Sequence, residues 1–425
     1  MNFLEKHHRT LIVLLLELLS LSPIFMILGN VIPPFPLKVH FITLGLSFIL
    51  MTLFLIQYHS KKWIAYIAFF YFIIQFTLSG LHIKDFVDFF FGPFVFITLI
   101  DILFNDRISN VVLWKYQKRF FALMLIPVII SSLQFLEILP LTFWNASYIN
   151  YSVVDGVKEP RPNGFLYHGS ELSIIIFFIG VKQLVRSQKY FLVLSLIILF
   201  IAYGTYYKAL TATIILLIVY YYVFIRPLSF FNRAQVFFKY EKRLYGMLLL
   251  FAIFSLLTFL YVVKIKGEKE IFDPELLTGR GAIWNVYLQA VKDFSFFEWI
   301  FGAGIGAEPI LFEKYSTPEL FYPLQVNPDS DLTPDGHNAI LSTFLNAGVF
   351  GVMLYVFLFK IVYSQISRLK NIIRSKAVYF FIFIISVFTI GVTIPFFKNA
   401  IYWIALSFTI YFWFISEKND DFYDH

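Results

Sequence analysis

Runs of apolar residues long enough to cross a lipid bilayer recur along this chain, separated by short charged connectors. They fall near 10–29, 38–57, 62–80, 86–104, 120–138, 169–184, 190–206, 209–225, 244–263, 338–360, 377–395 and 397–415. A helix needs roughly 20 apolar residues to cross the hydrocarbon core, so the pattern predicts about twelve membrane helices. Composition agrees: 59% of residues are hydrophobic and 14% charged, with a mean hydropathy of +0.75. A water-soluble domain could not cover that much apolar surface. A membrane β-barrel would show alternating ten-residue stretches instead of continuous runs. The expected fold class is all-α, a polytopic membrane protein forming a single integral-membrane domain over 1–425. The first run is long for a signal-peptide core and leads into GNVIPPFP, with no small-residue cleavage site, so it reads as a retained span.

Connector charge sets the expected orientation. Alternate connectors carry Lys61 and Lys62; Arg107, Lys115, Lys118 and Arg119; Lys182, Arg186 and Lys189; Arg226, Arg233, Lys239, Lys242 and Arg243; and Arg368, Lys370, Arg374 and Lys376. The intervening turns hold few cations, namely Lys38, Lys84 and Lys398. The cation-rich set belongs in the cytoplasm, with both termini and the acidic tail 416–425. One long polar loop, residues 264–336, then faces the extracytoplasmic side and is expected to contain short helices. The net charge of +7 is explained by these connectors, and no nucleic-acid partner is expected. The absence of cysteine excludes disulfides, thiolate metal sites and cysteine nucleophiles. No HExxH or H-x-x-x-H motif occurs, and neither a metal nor a cofactor is expected.

Candidate chemistry gathers on the outer side. Residues 281–299 read as one amphipathic helix, with Ile283, Tyr287, Val291 and Phe294 on a stripe. That helix would lie on the outer leaflet or pack on the protein, and either way Arg280 stands at its N-terminal end. A guanidinium beside free helix N–H groups suits a phosphate, although Arg280 would equally pair with Asp273 or Glu275. His337, between Asp335 and Asn338, precedes a long apolar run. Imidazole titrates at about 6.5, which suits a general base for a sugar hydroxyl. A polar cap is the alternative, and Asp335 and Asn338 would either orient the ring or cap the helix. Arg161 lies between two prolines in a short outer segment, and Lys208 at the outer end of two closely connected helices. Glu171 and Glu17 are carboxylates within apolar runs, suited to helix-to-helix hydrogen bonds. FGAGIGAEP (301–309) contains GxGxG without a preceding strand, so it reads as a compact turn, not a nucleotide site.

These pieces resemble the bacterial O-antigen polymerase and ligase superfamily, integral-membrane glycosyltransferases of lipid-linked glycans. The matching segments are PRPNGF (160–165), YYKAL (206–210), TGRGAIW (278–284) and HNAILSTFLNAGVFGVMLY (337–355), in the family's order. The resemblance implies transfer from undecaprenyl-pyrophosphate without metal, inverting the anomeric carbon, at the bacterial cytoplasmic (inner) membrane. It assigns Arg161 and Arg280 to the pyrophosphate and His337 to the acceptor hydroxyl. Lys208 stands where arginine is common and lacks its bidentate fork. The implied partners are an undecaprenyl-pyrophosphate-linked glycan donor, a lipid-linked glycan or lipid A-core acceptor, membrane lipids and a chain-length regulator. Repeat-unit polymerase is the favoured reading and ligase the second. A polysaccharide flippase, the competing class, would show internal repeats and midplane charges instead of polar residues at one face.

Overall fold

The structure is a computed structural model. It describes residues 3–31, 39–57, 83–105, 110–141, 151–154, 157–160, 162–166, 169–186, 191–204, 280–316, 338–367 and 399–418, with isolated positions at 66–74 and 210–218. The runs near 244–263 and 377–395 lie outside them.

The apolar runs form helices because no water is available in lipid to satisfy the backbone. In chain order these are α1 (Phe3–Val31), α2 (Val39–Gln57), α3 (Ile83–Asn105), α4 (Asn110–Phe135), α5 (Gly169–Arg186), α6 (Phe191–Gly204), α7 (Arg280–Lys292), α8 (Phe296–Phe301), α9 (Glu308–Tyr315), α10 (Ala339–Ser367) and α11 (Ala400–Lys418). Among the described residues the all-α expectation meets one addition, a short antiparallel hairpin of β1 (Tyr151–Val154) and β2 (Val157–Pro160), with Tyr151 opposite Pro160. Among the described residues, three stretches are long and apolar enough to cross a membrane: His7–Leu28, Val112–Phe135 and Ala339–Leu358. Shorter apolar helices cover Ile42–Ile56, Phe89–Ile102, Ser195–Gly204 and Ala400–Tyr411. The described residues therefore carry part of the expected twelve.

Two compact units divide the chain, Met1–Ile215 with Met353–His425, and Leu216–Val352. In the first, α11 packs against α3, α5 and α1, and its residues from Ile401 to Tyr411 are buried. Trp403 anchors this core. Its indole lies against Phe96 and Tyr355, and a Cβ on Gly92 would fall 2.1 Å from its Nε1. On α2 the exposed residues Ile42, Leu46, Ile49, Leu53 and Ile56 form one wholly apolar stripe at helical spacing, opposite buried Leu44, Met51 and Phe54. A helix that shows hydrocarbon outward is solvated by lipid.

Prolines inside these helices leave carbonyls without their usual partner four residues on, and hydroxyls take two of them up. Pro23 removes the donor for Leu19, whose oxygen accepts from Ser22 Oγ at 2.7 Å. Pro93 does the same for Phe89, whose oxygen accepts from Tyr355 Oη at 3.2 Å.

Several cations read as connector charges lie on helices: Lys115, Lys118 and Arg119 on α4, and Lys182 on α5. Arg119 lies within the Val112–Phe135 span and pairs with Glu17 of α1. Its Nε also donates to Ser20 Oγ at 3.0 Å, and its guanidinium sits 5.0 Å from the Tyr116 ring centroid. Glu17 is thus the helix-to-helix partner that its place in an apolar run suggested. The two side chains remain 28% and 37% exposed, so the pair is worth less than a fully buried one. Arg119→Leu strands the carboxylate and is expected to cost about 1–3 kcal/mol. The double change Glu17→Leu with Arg119→Leu should recover most of that loss. Melting temperatures of wild type and both variants in detergent check this, and an Arg119→Leu variant that melts with the wild type would show that the pair contributes nothing.

Candidate functional site

In the first unit, α4 ends in a paired-bond turn. Ile138 N donates to Leu133 O at 2.9 Å and Glu137 N to Gln134 O at 3.1 Å, with Glu137 at φ 59°. This left-handed residue closes the helix and presents Gln134 to the segment that follows β2. Gln134 Oε1 accepts from Asn163 N at 3.1 Å and Gly164 N at 2.9 Å. Its Nε2 donates to the carbonyls of Pro140 at 3.1 Å and Leu141 at 3.3 Å. Asn163 Oδ1 in turn accepts from Phe165 N at 3.0 Å. Gly164 has φ 64°, and a Cβ there would fall 2.3 Å from the carbonyl oxygen of Pro127. One buried amide therefore holds the PNGF turn against α4. The buried N–H groups of Asn163 and Gly164 would otherwise each cost about 1–3 kcal/mol to leave unpaired. Glu171 lies in the first turn of α5, where a carboxylate meets the positive end of the helix. Arg161 and Lys208 lie outside the described residues.

In the second unit, α7 begins at Arg280, as expected, but it stops at Lys292. Ser295 then starts α8 with a capping box: its side chain accepts from Glu298 N, and Glu298 reaches back to Ser295 N at 2.7 Å. The Ser-x-x-Glu spacing carried that signal, so the single helix over 281–299 divides in two. The apolar stripe of α7 faces its own unit. Ile283, Val286, Tyr287, Ala290 and Phe294 cluster with Ala307, Leu311, Phe312 and Leu345. Packing on the protein, not on the leaflet, buries that face. The exposed aromatics instead lie on α8, where Phe296, Phe297 and Trp299 are uncovered.

GxGxG is a compact turn, with Gly302, Gly304 and Gly306 at φ 80°, 116° and 88°. It leads into α9, whose first residue, Glu308, is buried. The Glu308 carboxylate accepts from Ser342 Oγ and from Asn346 Nδ2, the latter at 2.5 Å. Asn346 Oδ1 accepts from Gly306 N at 2.8 Å, and Tyr287 Oη donates to the Glu308 carbonyl at 3.3 Å. Asn346 sits just before a break in α10, where Gly348 takes φ 60° and ψ −159°. The break frees the Leu345 carbonyl, and Ala303 N donates to it at 2.8 Å. The glycine turn, α9 and the start of α10 are thus one hydrogen-bonded body. Sequence reading singled out neither Glu308 nor Asn346, although a polar residue two before a glycine inside an apolar run was visible.

Asn338 caps α10: its Oδ1 accepts from Ile340 N and Leu341 N, each at 3.0 Å. Of the two roles open to it, capping is the one its oxygen performs. His337 and Asp335 lie just before it, outside the described residues. The second unit therefore anchors the sequence neighbours of both Arg280 and His337 on one core.

Residues 190–356 match the O-antigen ligase family (Wzy_C). This supports the resemblance to the O-antigen polymerase and ligase superfamily and a function of that type for this membrane protein. The match takes in Lys208, Arg280, Asn338 and His337, whereas Arg161 and Glu171 precede it. The O-antigen ligase family implies lipid-linked glycan and lipid A-core substrates in general terms. No curated protein matches the chain.

Proposed function

We propose that this protein is a metal-independent, inverting glycosyltransferase that polymerises repeat units on the outer face of the cytoplasmic membrane. The donor is a glycan on undecaprenyl-pyrophosphate, and the acceptor is a sugar hydroxyl of a second lipid-linked glycan. The O-antigen ligase family match across the long loop and its flanks carries this reading, since that segment contains Arg280 and His337.

In this mechanism His337 takes the proton of the acceptor hydroxyl. The oxygen attacks the anomeric carbon from the face opposite the pyrophosphate, and the bond from that carbon to the pyrophosphate oxygen breaks. Undecaprenyl-pyrophosphate leaves, its growing charge met by Arg280, Arg161 and Lys208. Pyrophosphate is a good leaving group, so positioning and charge neutralisation supply most of the acceleration.

The second reading is ligation of finished polysaccharide to lipid A-core, favoured by the description of the matching family. A deletion strain separates the two on a polysaccharide gel. We expect the ladder to vanish while one repeat unit remains on the core. A bare core with polymer retained on its lipid carrier would make the protein a ligase, and an unchanged ladder would overturn both readings.

A further inference from the structure

Arg161 joins Pro160, which pairs with Tyr151 in the hairpin, to Pro162, the start of the turn that Gln134 holds. We infer that Gln134 is a positioning residue for Arg161 and so for recognition of the donor's pyrophosphate. This rests on the proposed role of Arg161.

Four observations carry it. Gln134 is only 2% exposed at the end of a membrane-span candidate, where a polar side chain needs a reason to be. Its amide is fully engaged, with two bonds accepted and two donated, all to backbone of the segments that precede and follow the hairpin. The turn it holds is specific, because Gly164 combines a left-handed backbone with close approach to the Pro127 carbonyl. Asn163 and Leu166 of that turn are buried too, so the segment after Arg161 is seated. A guanidinium recognises phosphate through a planar fork, which tolerates displacement poorly, so loosening the turn that follows Arg161 in sequence should be felt in phosphate binding.

Full-length protein in nanodiscs, titrated with undecaprenyl-pyrophosphate, tests this without knowledge of the sugar. Gln134→Met keeps the volume and removes all four bonds, and is expected to weaken binding about tenfold. Arg161→Ala should weaken it at least as much. The double variant should bind no worse than Arg161→Ala alone, because both changes remove one interaction. Gly164→Ala displaces the same turn from the other side and replaces Gln134→Met if that variant does not accumulate. Wild-type affinity in the turn variants beside a weakened Arg161→Ala would overturn the inference, as would losses that multiply in the double variant. Wild-type affinity in Arg161→Ala would instead remove the proposed role of Arg161, and the inference with it.

Discussion

His337→Ala is expected to abolish polymer while the protein still inserts and accumulates. A general base contributes about 10²–10⁴-fold to a proton transfer, so the residual rate should fall below what a gel ladder reveals. The informative comparison is Asn338→Ala next door. Asn338 bonds two backbone N–H groups of α10, and losing such a cap costs roughly 1 kcal/mol. That change should lower stability modestly and leave a ladder. If His337 were also only a polar cap, the two variants would behave alike. A normal ladder from His337→Ala would rule out its role as base.

Arg280→Lys is expected to lose about 10²–10³-fold in turnover despite keeping the charge. The ammonium is a point charge and cannot make two parallel bonds to a phosphate. Removal of a donor aimed at a developing oxyanion typically costs that much. Arg280 opens α7, whose N-terminal N–H groups and dipole favour an anion at the same end. The helix itself is fixed by Ile283, Tyr287 and Ala290 in the core, so the substitution should not shift it. Turnover at saturating donor, compared with binding of undecaprenyl-pyrophosphate, checks the assignment. Full activity of the lysine variant would leave Arg280 a simple cation.

The helices of the described apolar runs were legible because spanning length is written directly in the sequence, and the start of α7 at Arg280 because helix periodicity begins beside it. The glycine turn was legible from composition, and the structure gives all three of its glycines positive φ. What stayed hidden depends on distant partners. Gln134 sits among apolar residues with no spacing signature, and its bonds reach 29 and 30 residues along the chain. Glu308 and Asn346 are likewise paired across sequence. The break at Gly348 lies within a single apolar run, which hydropathy reads as one straight helix. Arg119 was read with the connector charges because charge counting sees signs but not depth, and its place in α4 becomes clear only beside Glu17.

Gly302 and Gly348 lie back to back. A Cβ on Gly302 would fall 2.3 Å from the Asn346 carbonyl carbon, and one on Gly348 would fall 2.5 Å from the backbone of Ile300 and 2.6 Å from Gly302 N. Each is blocked by main chain, and neither has a side chain that could shrink to make room for the other. Most packing contacts can be repaired by a second substitution across the contact, because one side chain yields what the other needs. This contact has no such repair, so a change at either glycine is an evolutionary dead end unless the backbone itself is rebuilt.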